Sequence, residues 1–185
     1  GSIAAAAVSK SPPDGYTLLV VSSSYSINPS LYASLPFNPQ KDLVPVSLFA
    51  EAPFLLVVHP SVPAKNVKEL IALARARPGE INYASGGTGT NLSLVAELLK
   101  TTAGINVTHV PYKGGGPAGV AVMSGEAQMM FSTIAATLPF VTSKRLAALA
   151  LTGPKRSPLM PGVPTFSEAG VRGLDVGLWF ALLAP

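Results

Sequence analysis

The strongest constraint on this chain is one unit that keeps returning: a short β-branched or apolar run, a turn of glycine and small hydroxyl residues, then a stretch with helical periodicity. "YTLLVV" (16–21) runs into "SSSYSINP" (22–29) and a short helix around Leu31. "INYA" (81–84) runs into "SGGTGT" (85–90) and a helix with Leu92, Val95, Leu98 and Leu99 on one face, stopped by Gly104. "NVTHVPY" (106–112) leads through "KGGGP" to a small-residue helix ending near Gly125, and "AQMMF" (127–131) leads through "STIAATL" to a further helical turn. "LAALAL" (146–151) closes the series and enters "TGPKRSP". Strands alternating with helices at this spacing predict an α/β fold with mainly parallel sheets.

Two large apolar runs, "FLLVVH" (54–59) and "VGLWFALLAP" (176–185), bracket a block of about 120 residues, as strands that join two lobes do. The expected layout is a partial first lobe over 1–55, a second α/β lobe over 56–178, and a return strand to the first lobe over 179–185. In the second lobe "PSVPAKNVKELIALARARPGE" predicts a helix over 65–77, with Val67, Leu70, Ile71 and Ala74 inward and Gly79 as its stop. The 18 prolines and 17 glycines fall between periodic segments, which means many short, rigid loops.

Composition narrows the chemistry. The absence of cysteine removes thiolate catalysis, zinc-thiolate sites and disulfides. Charged residues make up only 12% of the chain and its net charge is +4. Lys65, Lys68, Arg75, Arg77, Lys144, Arg145, Lys155, Arg156 and Arg172 are scattered, without the clustering and aromatic interleaving of a nucleic-acid surface. No apolar run reaches the ~18–20 residues of a spanning helix. The chain starts inside a small-residue helical pattern and stops at Pro185 straight after an apolar strand, so both ends read as cut from something longer.

In open parallel α/β sheets the loops at the carboxyl ends of the strands meet at one crevice. On that rule Ser22, Ser23, Ser24 and Tyr25, the loop Ser85, Gly86, Gly87, Thr88, Gly89, Thr90 and Asn91, then Tyr112 and Lys113 up to Gly116, Ser132, Thr133 and Thr152 line one cleft. They offer hydroxyls, an amide and backbone N–H groups, with Lys113 the only charge. "SGGTGT" is not a Walker loop, because no lysine follows Gly89, nor a dinucleotide fingerprint, because the third glycine position holds Leu92. What remains is a glycine turn whose amides approach a ligand at a helix start, which suits a carboxylate as well as a phosphate. The alternative is a tight turn capped by Thr90 or Asn91. "YKGGGPAG" (112–119) is a weaker copy, with Lys113 either pairing an acidic ligand or solvated.

Catalysis is poorly served. His59 and His109 have no serine or carboxylate motif beside them, G-x-S-x-G is absent, and the nine acids form no pair at metal-ligand or glycosidase spacing on the inferred cleft. Trp179 and Phe180 read as core or hinge packing, or as a cleft wall. No catalytic residue, cofactor or metal is expected.

Taken together, "SPPDGYTLLV", "INPSLYASLPFNPQKDLVPVSLFA", "FLLVVHPSVPAKNVKELIALARARPGEINYASGGTGT", "HVPYKGGGPA", "KRLAALALTGPKRSPLMPGVPTFSEAG" and "WFALLAP" resemble the Bug-type solute-binding receptors of tripartite tricarboxylate transporters over essentially the whole chain. The resemblance implies a type II periplasmic-binding-protein-like α/β fold, with one lobe nearly complete and the other partial, joined by two hinge strands. It implies a periplasmic receptor, not an enzyme, that captures a small organic carboxylate and hands it to membrane permease subunits. In that family two glycine-bearing loops hold the carboxylate through backbone amides and ordered waters. Only the second, Ser85 to Asn91, lies in this chain; the first is expected before Gly1. An incomplete lobe would expose apolar faces and sheet edges and favour self-association. Two positions depart from the family: Gln128 stands where an acid is common before the "MF" strand end, and Ser93 or Leu94 where a histidine is common. A small α/β enzyme acting on an anion and a fragment that binds nothing are the competing readings.

Overall fold

The computed structural model describes residues 2–185. They form two compact units, one running up to Ala52 together with Leu178–Pro185, the other Pro53–Gly177.

The first unit holds α1 (Ser2–Val8), β1 (Leu19–Ser22), α2 (Ser24–Leu31), the start of β2 (Val44–Val58) and nearly all of β7 (Gly177–Ala184). β1 pairs antiparallel with β7, Leu19 opposite Leu183 and Ser22 opposite Phe180. Its core is small: Ala5, Leu19, Val21, Phe37, Leu43 and Leu183, with Tyr25 and Trp179 packed on it. β1 starts later than the sequence predicts because the Asp14 carboxylate accepts the Tyr16 N–H at 3.0 Å and Gly15 turns at φ +81°, which spends Tyr16 on a turn. The helix around Leu31 begins at Ser24, so the segment read as a loop, Ser24 and Tyr25 included, is α2 itself.

β2 runs 15 residues, far longer than "FLLVVH". Pro45, Ser47, Glu51 and Pro53 break up the apolar run of its first half and hide the strand. Val44, Val46 and Leu48 alternate along that half and are each more than half exposed.

In the second unit the sheet order is β6-β2-β5-β3-β4, built from the end of β2 with β3 (Asn82–Ser85), β4 (Thr108–Pro111), β5 (Met129–Thr133) and β6 (Ala147–Leu151). β3 is parallel to both β4 and β5, whereas β2 is antiparallel to both β5 and β6. The sheet is therefore mixed and not mainly parallel in its pairing. β3, β4, β5 and β6 share one direction, since β3 is parallel to β4 and β5, and both β5 and β6 run against β2. β2 enters from the first unit without a preceding crossover and runs against them.

The connecting helices are α3 (Val67–Ala76), between β2 and β3, and the crossovers α4 (Asn91–Ala103), α5 (Gly115–Met123) and α6 (Ile134–Thr142). α3 opens with a side-chain cap: Asn66 accepts the Glu69 N–H at 3.0 Å, and the Glu69 carboxylate reaches back to accept the Lys65 N–H at 2.7 Å. It buries Val67, Leu70 and Ala74, while Ile71 is only half-buried. α4 buries Val95, Ala96, Leu99 and Ala103 and ends at Gly104 in the left-handed conformation, φ +60°. One core cluster joins Leu55, Val57, Ala84, Ala118, Val122, Met130, Ile134 and Leu151. Phe131 and Phe166 stack at 5.9 Å and are fully buried.

A candidate anion site at the glycine loops

Because β3, β4, β5 and β6 run the same way, their carboxyl ends lie along one edge of the second unit's sheet. Ser85 ends β3, Pro111 ends β4, Thr133 ends β5 and Leu151 ends β6. α4, α5 and α6 start within a few residues of the first three ends. Three helix N-termini, each with partial positive charge, therefore open along one edge. No acidic residue occurs in Ser85–Asn91, Tyr112–Gly116 or Ser132–Thr133.

The two glycine loops zip together. The Tyr112 N–H donates to the Ser85 carbonyl at 2.9 Å and the Gly114 N–H to the Gly86 carbonyl at 3.2 Å, continuing the β3–β4 ladder past its strands. A Cβ on Gly86 would sit 3.1 Å from the backbone of both Gly114 and Gly115, so only glycine permits this approach. Gly87 turns at φ +125° and Gly89 at +76°, which reverses the chain before α4. Thr90 locks the turn: its hydroxyl donates to the Gly87 carbonyl at 2.8 Å and caps α4 by accepting the Ser93 N–H at 3.3 Å.

Many of the expected side chains are already engaged inside the fold. Ser85 is fully buried, and its Oγ meets the His109 imidazole at 2.7 Å and Gly87 at 3.2 Å. The Tyr112 hydroxyl donates to Glu126 at 2.7 Å, a bond that raises its pKa, with some burial added. Thr133 caps α6 by accepting the Ala136 N–H at 3.4 Å, and Ser132 is buried in β5. Thr152 is sealed in the core, where its hydroxyl accepts the Phe54 N–H at 2.8 Å. What the loops present is chiefly backbone amide, with Thr88 and Lys113 exposed beside it. Ser23, Ser24 and Tyr25 belong to the first unit. There the Ser24 and Ser22 hydroxyls meet at 3.0 Å, the Ser23 N–H donates to the Trp179 carbonyl at 3.0 Å, and the Tyr25 hydroxyl donates to the Pro39 carbonyl at 2.8 Å.

His109 is the residue that sequence reasoning missed. It pairs with Tyr83 in the β3–β4 register, so both project from one face, two residues before Ser85 on the same face. Its ring stacks on Tyr83 with centroids 4.6 Å apart and an 11° interplanar angle. The buried Tyr83 hydroxyl donates to Glu97 of α4, and Lys100 pairs with Glu97 at 2.9 Å. Burial first, then the hydrogen bond and charge of Glu97, push the Tyr83 pKa far above its ordinary value. For Glu97, burial pulls upward, but the hydrogen bonds from Tyr83 and Lys100 win and hold it below the usual carboxylate range. Burial lowers the His109 pKa; Glu97 pulls it back and Lys100 lowers it further. The signal was the alternation of His109 with Pro111, which sets its side chain on the Ser85 face once β3 and β4 are known to pair in parallel.

Gln128, at the position where an acid is common, accepts the Asn82 N–H at 2.9 Å and donates to the Gly125 carbonyl at 3.3 Å. It ties β3 to β5 and needs no charge. A separate groove of ≈ 580 Å³, lined by Lys68, Arg75 and Arg172 among others, lies by Thr102 and Ala103 at the C-terminal end of α4. That is roughly 20 Å along the helix from the glycine loop at 1.5 Å per residue. Among the described residues no three His, Asp or Glu side chains gather as a metal-ligand set.

The whole chain, residues 1–185, matches the family model described as the tripartite tricarboxylate transporter family receptor. It is 38% identical over 187 residues to protein BugT of Bordetella pertussis, covering 100% of this chain and 57% of that protein. Among solved structures it is similar to an R. palustris protein with adipate, at TM-score 0.90 and 36% identity, and to MatC from Rhodopseudomonas palustris with bound malate, at 0.87 and 32%. Both comparisons cover 100% of this chain, and 62% and 63% of those chains. The chain thus spans little more than half the length of curated relatives such as BugT. Its mixed α/β fold is that of these periplasmic solute-binding proteins. A match along every residue, joined to this fold and these loops, means that the chain belongs to the tripartite tricarboxylate transporter receptor family.

Proposed function

We propose that the chain is a solute-capturing receptor of the periplasm that binds a small organic carboxylate and passes it to the permease subunits of a tripartite tricarboxylate transporter, without chemical turnover. The observation that carries this reading is the pair of glycine loops, Ser85–Asn91 and Tyr112–Gly116, set where α4 and α5 begin and free of acidic side chains. The Gly87, Thr90, Tyr112 and Gly114 N–H groups are bonded within the loops, and the Gly86, Thr88, Gly89 and Lys113 amides are left for a ligand. Backbone N–H groups bonded to a carboxylate make charge-assisted bonds, stronger than neutral ones. Gly86, Gly87, Thr88, Gly89, Thr90 and Asn91 form the main cradle, Ser85 shapes it from behind, and Lys113 adds charge.

The acids in the solved relatives, adipate and malate, support a carboxylate over a phosphate. Against an enzyme, Ser85, whose hydroxyl meets the His109 imidazole, is fully buried, and a buried Oγ cannot reach a substrate. The second hydroxyl–imidazole pair, Ser61 with His59 at 2.6 Å, follows the end of β2 beside the start of β5, at the opposite sheet edge from the glycine loops. The family description supports the permease partner and the periplasmic setting. In this reading the unit Pro53–Gly177 is a complete lobe and the other unit a partial one, with β2 and β7 as the hinge strands. Calorimetry against adipate, malate and inorganic phosphate tests the proposal. A carboxylate should bind with no new product by NMR, and preference for phosphate would overturn the choice of anion. Ser24→Ala and Tyr25→Phe measure the first unit's share: a loss of affinity supports it, and unchanged affinity removes these residues from the site.

A further inference from the structure

The glycine loop is wired to a histidine through one hydroxyl that can be bonded in two directions. Ser85 Oγ lies 2.7 Å from His109 Nε2, and 3.2 Å from both the amide nitrogen and the carbonyl oxygen of Gly87. In the neutral ring with its proton on Nδ1 and a lone pair on Nε2, the Ser85 O–H donates to the imidazole and Oγ accepts the Gly87 N–H. With a proton on Nε2, the imidazole donates to Oγ, and the Ser85 O–H turns to the Gly87 carbonyl. Oγ then accepts both Nε2–H and the Gly87 N–H on its two lone pairs. It no longer donates to the imidazole, which had made it a stronger acceptor, and the hold on the Gly87 amide weakens.

We propose that His109, acting through Ser85, is a positioning residue that sets the direction of the loop's hydrogen bonds, so that protonating its imidazole loosens the hold on the Gly87 N–H, leaving it readier for an anion, and puts a positive charge behind the loop. The ligand half of this rests on the loop being the carboxylate cradle. The proton comes from solvent, which the half-buried ring can reach. The titratable groups facing the imidazole are Tyr83 on β3, and Glu97 and Lys100 on α4. Tyr83 stays neutral near neutral pH, while Glu97 and Lys100 pair with each other, so the ring is the group in this network whose charge changes near neutrality. An anion on the loop and a proton on His109 favour each other, and the coupling is reciprocal: carboxylate affinity rises as pH falls.

The direct test is ¹H–¹⁵N NMR of the full chain without ligand, following the Gly87 amide from about pH 5 to about pH 8, where imidazoles titrate. In the unsubstituted protein the Gly87 resonance should move with the same midpoint as the His109 ring. It should stay flat in His109→Phe, which keeps a ring over Tyr83, and in Ser85→Ala. A Gly87 resonance that is flat in the unsubstituted protein, or still titrates in His109→Phe, overturns the switch. Calorimetry with malate at about pH 6 and about pH 8 reads the coupling, expected toward the low end of the ~5–150-fold range typical of coupled sites and absent in His109→Phe. If Gly87→Val leaves malate affinity unchanged, the cradle reading fails, and the NMR result alone decides the switch. If Gly87→Val abolishes binding while His109→Phe keeps the pH dependence, the coupling fails and the cradle stands.

Discussion

At the scale of single residues, the site is made by what glycine permits and by where hydroxyls are spent. Gly86 is the tightest point, because any side chain there meets the backbone of Gly114 and Gly115 at 3.1 Å. Gly86→Ala should push the loops apart, at a cost of about 1–3 kcal/mol in thermal or denaturant unfolding, and weaken carboxylate binding. Unchanged stability would mean that the loops part freely. Behind the loop, Tyr83 carries a pKa raised far above its ordinary 10.0. A folded pKa above the unfolded one gives stability that is complete below the unfolded value and lost as pH rises through the folded one. Denaturation midpoints should therefore fall above about pH 10, and the fall should shrink in Tyr83→Phe. An alkaline profile identical in the two proteins would contradict the Tyr83–Glu97 bond. Glycine spacing made the turn readable in the sequence. The committed state of Ser85, Tyr112 and Thr152 was not, because each partner (His109, Glu126, Phe54) lies 14 or more residues away and is set by strand register.

At the scale of elements, the helices were the most legible parts. Thr90 before α4 and Gly104 after it are local signals, and the structure uses each where it stands, whereas α3 stops at its C-cap Arg77, two residues before the expected Gly79. Strands were read less well. The first half of β2 was missed because its prolines and polar residues break the pattern, and the antiparallel course of β2 was missed because nothing within a strand records its neighbours' direction. α2 was mistaken for a turn because serines, an asparagine and Pro29 carry loop chemistry, although they fold as helix here. Caps offer a clean contrast between element and site. Asn66→Ala and Thr90→Ala should each cost about 1 kcal/mol of stability. Only Thr90→Ala should also weaken ligand binding, because the Thr90 hydroxyl also holds the Gly87 carbonyl. Equal effects on binding would detach Thr90 from the loop's function.

At the scale of the molecule, alternation and the order of elements revealed the α/β class, and the two apolar strands bracketing the central block, with the family resemblance, pointed to a two-lobed plan. The exposed Val44, Val46 and Leu48 on β2 form an apolar row on a strand, a feature that invites pairing between chains. Sedimentation should show a concentration-dependent increase in mass that Val46→Lys with Leu48→Lys reduces; a compact monomer at every concentration would contradict this. The central claim is that a row of backbone amides at the glycine loops captures a carboxylate. Titrating malate and adipate into the folded chain and its Gly87→Val variant by calorimetry tests it most directly. The account predicts saturable binding of at least one acid by the unsubstituted protein and none by the variant. Equal affinity in the two proteins, or no binding of either acid by a folded sample, would contradict it.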